Sequence, residues 1–124
     1  MKLRLREGSI RLRLTRGEVD RLREVGRVDE VLEVTPGATM GWCLAVTDGA
    51  DVRAVLEDGV LRVDVPRPLA REWCDTDRVG LDGMQAVGTR GVRILVEKDW
   101  SCLKPREDED DADAYPHPLA TKKG

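Results

Sequence analysis

The chain has 124 residues, a formal net charge of −3 and a mean hydropathy of −0.42, a length that suits one domain burying roughly two thirds of the surface its unfolded form exposes. Its 15 Val, 14 Leu and 2 Ile lift it above the roughly one-fifth aliphatic level that signals disorder, while four aromatics, Trp42, Trp73, Trp100 and Tyr115, leave little to stack on bases and disfavour single-stranded nucleic acid. No apolar run reaches the roughly eighteen residues of a membrane span, and three cysteines without paired spacing fit a reducing, cytoplasmic setting.

In Lys2–Arg6 and Ser9–Leu14, strict alternation predicts two strands with Leu3, Leu5, Ile10, Leu12 and Leu14 on one face and Lys2, Arg4, Arg6, Arg11 and Arg13 on the other. Glu7-Gly8 between them reads as a hairpin turn. Thr15 and Glu18 have capping-box spacing before a helix over 16–25, with Val19, Leu22 and Val25 on its apolar side and Gly26 as its left-handed cap. A strand over 27–35 ends at Pro36-Gly37, another runs through Met40–Val46, and Asp48-Gly49 and Asp58-Gly59 bracket residues 51–57 before a strand over 60–65. That succession reads as a meander. Pro68 then starts a short helix whose Leu69 and Trp73 pack inward, and residues 78–82 and 92–98 read as two last strands linked by a glycine-rich loop. No internal repeat of twenty to fifty residues is apparent.

The expected fold is a single α+β domain over residues 1–103, with a mostly antiparallel, strongly twisted sheet of about seven strands, open to partial closure into a barrel, and two short helices. Residues 104–124, with Glu107–Asp111 and Asp113 in an acidic run, read as a mobile, largely disordered tail. Charge is uneven along the chain: +5 over residues 1–27, −5 over 28–104 and −3 over 105–124. That division favours internal pairing over a large free basic surface.

The two ends together, Lys2–Thr15 with Glu18-Val19, then Val96–Leu103 and the acidic tail with Tyr115-Pro116-His117-Pro118, resemble a family of small bacterial proteins of unknown function. In that family the N-terminus reads close to Lys-x-Arg-Ile-Arg-x-x-Ser-Ile-Arg-x-Arg-Leu-Thr. Its C-terminus carries Glu-Lys-Asp-Phe-x-Cys-Leu before an acidic stretch and Tyr/Phe-Pro-Asn-Pro; here Trp100 stands for the Phe and His117 for the Asn. The resemblance implies no activity. It does imply that the tail is patterned.

Three chemistries are open to these residues. The basic strand face, Lys2, Arg4, Arg6, Arg11 and Arg13, could grip a small anion through arginine forks, or pair with acidic neighbours across strands. A metal-dependent phosphoanhydride or phosphate-ester hydrolase would need carboxylates beside that face, and Glu33, Glu57 and Glu97 are the candidates to supply them. A reactive thiol would centre on Cys102 beside Glu97, Lys98 and Asp99, whereas Cys43 and Cys74 look like core residues and the only histidine, His117, lies in the tail. No complete catalytic constellation, metal-ligand spacing or cofactor motif is present. The expectation is therefore a non-catalytic cytoplasmic binding or accessory module for a protein partner or small anionic ligand, with the hydrolase as the alternative. It would act as a monomer, or as a homodimer joined along an edge strand, and its acidic tail could fold back on the basic face.

Overall fold

The computed structural model describes residues 1–99. Eight strands and two helices follow in the order β1 Lys2–Arg6, β2 Ser9–Leu14, α1 Arg16–Val25, β3 Arg27–Thr35, β4 Ala38–Thr47, β5 Arg53–Glu57, β6 Val60–Pro66, α2 Arg67–Asp75, β7 Gly80–Val87 and β8 Arg90–Lys98. The class is the expected α+β. The strands divide into two sheets of four, which we call sheet A (order β1-β2-β8-β7) and sheet B (order β3-β4-β6-β5).

Local signals place most elements. Thr15 caps α1 with both capping-box bonds to Glu18 present, and Gly26 at φ 85° closes the helix with its N–H on the Leu22 carbonyl. Gly8, at φ 81°, makes the β1–β2 turn. Val25 departs from expectation at 66% exposed, because each three-residue step falls short of a helical turn and two steps carry it about 120° away from Val19. Trp73 is fully buried and donates Nε1–H to the Val79 carbonyl at 3.0 Å, with Leu69 packed against the same core.

Two expectations are corrected by strand pairing, one distant in sequence and one local. The meander fails because β4 pairs β6 in parallel and β5 lies outside β6. β6 contributes Val63 and Val65 at 0% exposure and takes the interior position, whereas β5 has Leu56 at 73% and takes the edge. The glycine-rich loop is instead strand on both sides of a turn at Gly88-Thr89. Its glycines mark close approaches: a Cβ on Gly83 would stand 2.9 Å from Val52 Cβ, and one on Gly91 2.9 Å from Met84 Sδ.

The chain is also an internal repeat. Shifting β1 and β2 by 51 residues, from Lys2 to Arg53 and from Ser9 to Val60, turns every pairing of that hairpin into one of β5–β6. The parallel pair β2–β8 maps in the same way onto β6–β4, where Leu12 faces Val96 and Val63 faces Leu44. The hairpin β3–β4 maps onto β7–β8, Val28–Leu44 onto Leu81–Val96. Two flanking bonds also repeat: Arg93 N–H to Gly8 O at 2.8 Å matches Gly41 N–H to Gly59 O at 2.9 Å. Each half is thus ββαββ. Its helix carries the chain from one sheet to the other, so each sheet combines the first hairpin of one half with the second hairpin of the other. One core results, drawing on both sheets and both helices, with Leu12, Leu14, Leu22, Leu44, Val63, Val65, Trp73, Ile94 and Val96 at its centre.

The sheets do not close into a barrel. Where β5 and β7 meet, the Gln85 side chain accepts from Ala54 N–H at 2.8 Å and donates to Ala54 O at 2.9 Å, in place of a strand ladder. At the other seam the Met1 ammonium pairs with Glu18 and, at 3.2 Å, with Glu30, while Trp42 Nε1–H donates to the Met1 carbonyl at 3.0 Å.

Candidate anion-binding face

The alternation of β1 and β2 is realised in sheet A. Lys2 faces Arg13, Arg4 faces Arg11 and Arg6 faces Ser9, and cross-strand partners present their side chains on one face. The parallel neighbour adds Arg93, Leu95 and Glu97 opposite Ser9, Arg11 and Arg13; β7 adds Asp82 opposite Leu95. The five cations expected together are therefore brought to one face, joined by Arg93, which lies outside the N-terminal alternation. Alternation of Arg93, Leu95 and Glu97 would have shown their common side, but the parallel pairing that sets them beside β2 spans more than 80 residues of chain.

Glu97 lies in the end row of this face, opposite Arg13. Its Oε1 lies 3.4 Å from Arg11 Nε and 3.5 Å from Arg13 Nη2, is buried, and has no hydrogen-bond donor among the described residues. These are charge contacts at a distance where direct hydrogen bonding has faded. Arg13 is 15% exposed and Arg11 31%, so part of the face is screened from water and its charges interact more strongly than on an open surface. Asp99 Oδ2 stands 4.0 Å from Lys2 Nζ, and Arg93 bonds Asp82 at 3.0 Å.

The remaining candidates scatter. Lys98 points away from this face, donating to the Thr76 carbonyl at 2.6 Å with its ammonium 5.5 Å from the centre of the Trp73 ring. Glu33 caps the β3–β4 turn by accepting from Gly37 N–H at 3.0 Å. Glu57 lies on sheet B, 3.8 Å from Arg62. Of the three glutamates considered for a metal, the structure brings Glu97 alone to the arginines, and among the described residues no group of three or more His, Cys, Asp or Glu could hold an ion. Cys43 and Cys74 are buried, and burial pushes both thiols up, away from a reactive thiolate. Cys102, His117 and the tail lie outside the described residues.

The repeat supplies an internal comparison. On the matching face of sheet B, Arg53 stands for Lys2, Val55 for Arg4, Glu57 for Arg6, Arg62 for Arg11 and Asp64 for Arg13. Charges there are matched in place: Arg62 bonds Asp64 at 2.8 Å and Arg27 bonds Asp29 at 2.9 Å. By register, that face carries Arg27, Arg53 and Arg62 against Asp29, Glu33, Glu57 and Asp64, a net −1. Sheet A carries Lys2, Arg4, Arg6, Arg11, Arg13 and Arg93 against Asp82 and Glu97, a net +4.

A family model described as a family of unknown function, DUF7009, matches residues 1–119, both ends noted in the sequence included. No curated protein and no solved structure matches the chain.

Proposed function

As the chain belongs to the family of unknown function DUF7009, whose description carries no activity, we propose that it acts by binding, with the sheet-A face as the contact surface for a small anionic ligand or an acidic stretch of a protein partner. The observation that carries the reading is the difference between the two faces. Fold and register are shared, yet by register the sheet-B strands carry a net −1 on this face and the sheet-A strands a net +4. Stability does not call for that excess, since like charges opposite one another in a sheet are destabilising. Guanidinium pairs suit phosphate or carboxylate oxygens, which they can hold in bidentate fashion. The buried Glu97 oxygen keeps Arg11 and Arg13 close together before any ligand arrives.

We place this activity in the bacterial cytoplasm, in keeping with the odd cysteine count, for a monomer or homodimer. The hydrolase alternative gains no support from the geometry, because Glu33 and Glu57 belong to sheet B.

The test is thermal unfolding followed by tryptophan fluorescence in low salt, with phosphate, tripolyphosphate, nucleotides and divalent cations. A ligand at a hundred times its dissociation constant adds about 2.7 kcal/mol, a rise of several degrees for a domain of this size. A rise with anions that needs no divalent cation is the expected outcome. A rise requiring metal, accompanied by release of phosphate, would favour the hydrolase; a flat panel would overturn the small-anion reading.

A further inference from the structure

We propose that the acidic run Glu107–Asp113 of this same chain occupies the sheet-A face and competes there with external anions. The inference rests on the proposed function of that face and concerns its regulation. Residues 107–113 lie outside the described part of the chain and enter the argument by their sequence.

Pitch is the first support. Along β1, Lys2, Arg4 and Arg6 recur at every second residue, a step of about 7 Å, with the β2 partners Arg13 and Arg11 about 5 Å across. The run is acidic at every position from Glu107 to Asp111 and again at Asp113, so Glu107, Glu109, Asp111 and Asp113 offer carboxylates at that two-residue step, with Asp108 and Asp110 between them. An extended segment would therefore set carboxylates against cations in register.

The second support is where the described chain ends. Asp99 donates its N–H to the Leu14 carbonyl at 2.7 Å, and its carboxylate is 4.0 Å from Lys2 Nζ. The chain thus leaves from the end of β2 at the Lys2–Arg13 corner of the face. The intervening residues 100–106 reach up to about 23 Å when extended, whereas Lys2 to Arg6 spans about 14 Å. The acidic run can therefore cover the whole array. A tether this short holds its cargo at an effective concentration in the millimolar range, so an external anion meets an intramolecular competitor that salt would weaken.

The experiment compares the full chain with a full-length variant in which the run is neutralised: Glu107→Gln, Asp108→Asn, Glu109→Gln, Asp110→Asn, Asp111→Asn and Asp113→Asn. Inorganic tripolyphosphate is titrated into each at low ionic strength, and the Nε–Hε NMR signals of Arg4, Arg11 and Arg13 are compared before ligand is added. Tripolyphosphate affinity at least tenfold higher in the variant, with arginine signals displaced between the two ligand-free proteins, is the expected result. Equal, measurable affinities would overturn the inference and leave the proposed function standing. If tripolyphosphate binds neither protein, displaced arginine signals would sustain the inference while the small-anion reading fails; unmoved signals would overturn both. Signals of the unmodified chain that shift on dilution would assign the contact to the acidic run of a second copy, and so overturn the intramolecular form.

Discussion

Glu18 performs two tasks with one carboxylate. It completes the capping box, with Oε1 accepting from Thr15 N–H at 2.9 Å, and it anchors the Met1 ammonium through Oε2. Burial opposes both charges, but the ammonium's hydrogen bonds to Glu18 and Glu30 outweigh it and hold the Met1 pKa above its ordinary value. Burial likewise works against the Glu18 carboxylate, and the bonds from the ammonium and Thr15 outweigh it and hold that pKa down. The two shifts act on opposite limbs of the stability curve. The Met1 contribution is complete below the ordinary amino value of 8.0 and is lost as pH rises through the raised value; that of Glu18 is complete above 4.5 and is lost as pH falls through the lowered one. Stability should therefore form a plateau between these limits. Glu18→Gln, which keeps a capping acceptor but removes the charge, should lower that plateau by about 1–2 kcal/mol and flatten both limbs. Thermal unfolding from pH 3 to 10 would reveal it, and an unchanged profile would count against the anchored terminus.

Individual elements were legible wherever a short-range rule applies. The Thr15–Glu18 box, the Gly26 cap, the Gly8 turn and the alternation of β1 and β2 each lie within a few residues of chain, and each appears where its rule places it. What could not be read locally is how the hairpins join, because β2–β8 and β4–β6 pair strands whose patterns carry no mark of their partner. The repeat was hidden for a related reason. Burial is retained between the halves while identity is not: Leu22 corresponds to Trp73, and Arg13 to Asp64. The same limit applied to the site, since five of its cations follow from alternation but Arg93 and the placing of Glu97 depend on the parallel pair. Gln85 is the clearest element-scale consequence, as it bridges β5 and β7 through two bonds to Ala54. Gln85→Leu should cost about 1–3 kcal/mol, because it leaves a backbone donor and acceptor without partners, and should speed hydrogen exchange at the Ala54 amide. Unchanged exchange there would show that the seam does not depend on the side chain.

At the scale of the whole molecule, a repeated ββαββ unit has produced two sheets alike in order and register but different in outward charge. Sheet B pairs Arg62 with Asp64 within one strand, whereas sheet A holds Arg11 and Arg13 beside Glu97. Function is thus attributed to what the repeat does not share. Arg11 and Arg62 occupy equivalent positions in the two sheets, which makes them a matched pair for the decisive measurement: calorimetric titration of tripolyphosphate in low salt into the unmodified chain, Arg11→Ala and Arg62→Ala. The account predicts affinity at least tenfold weaker for Arg11→Ala, about 1.4 kcal/mol, and essentially unaltered for Arg62→Ala. Equal losses in the two variants, or a loss confined to Arg62→Ala, would contradict it.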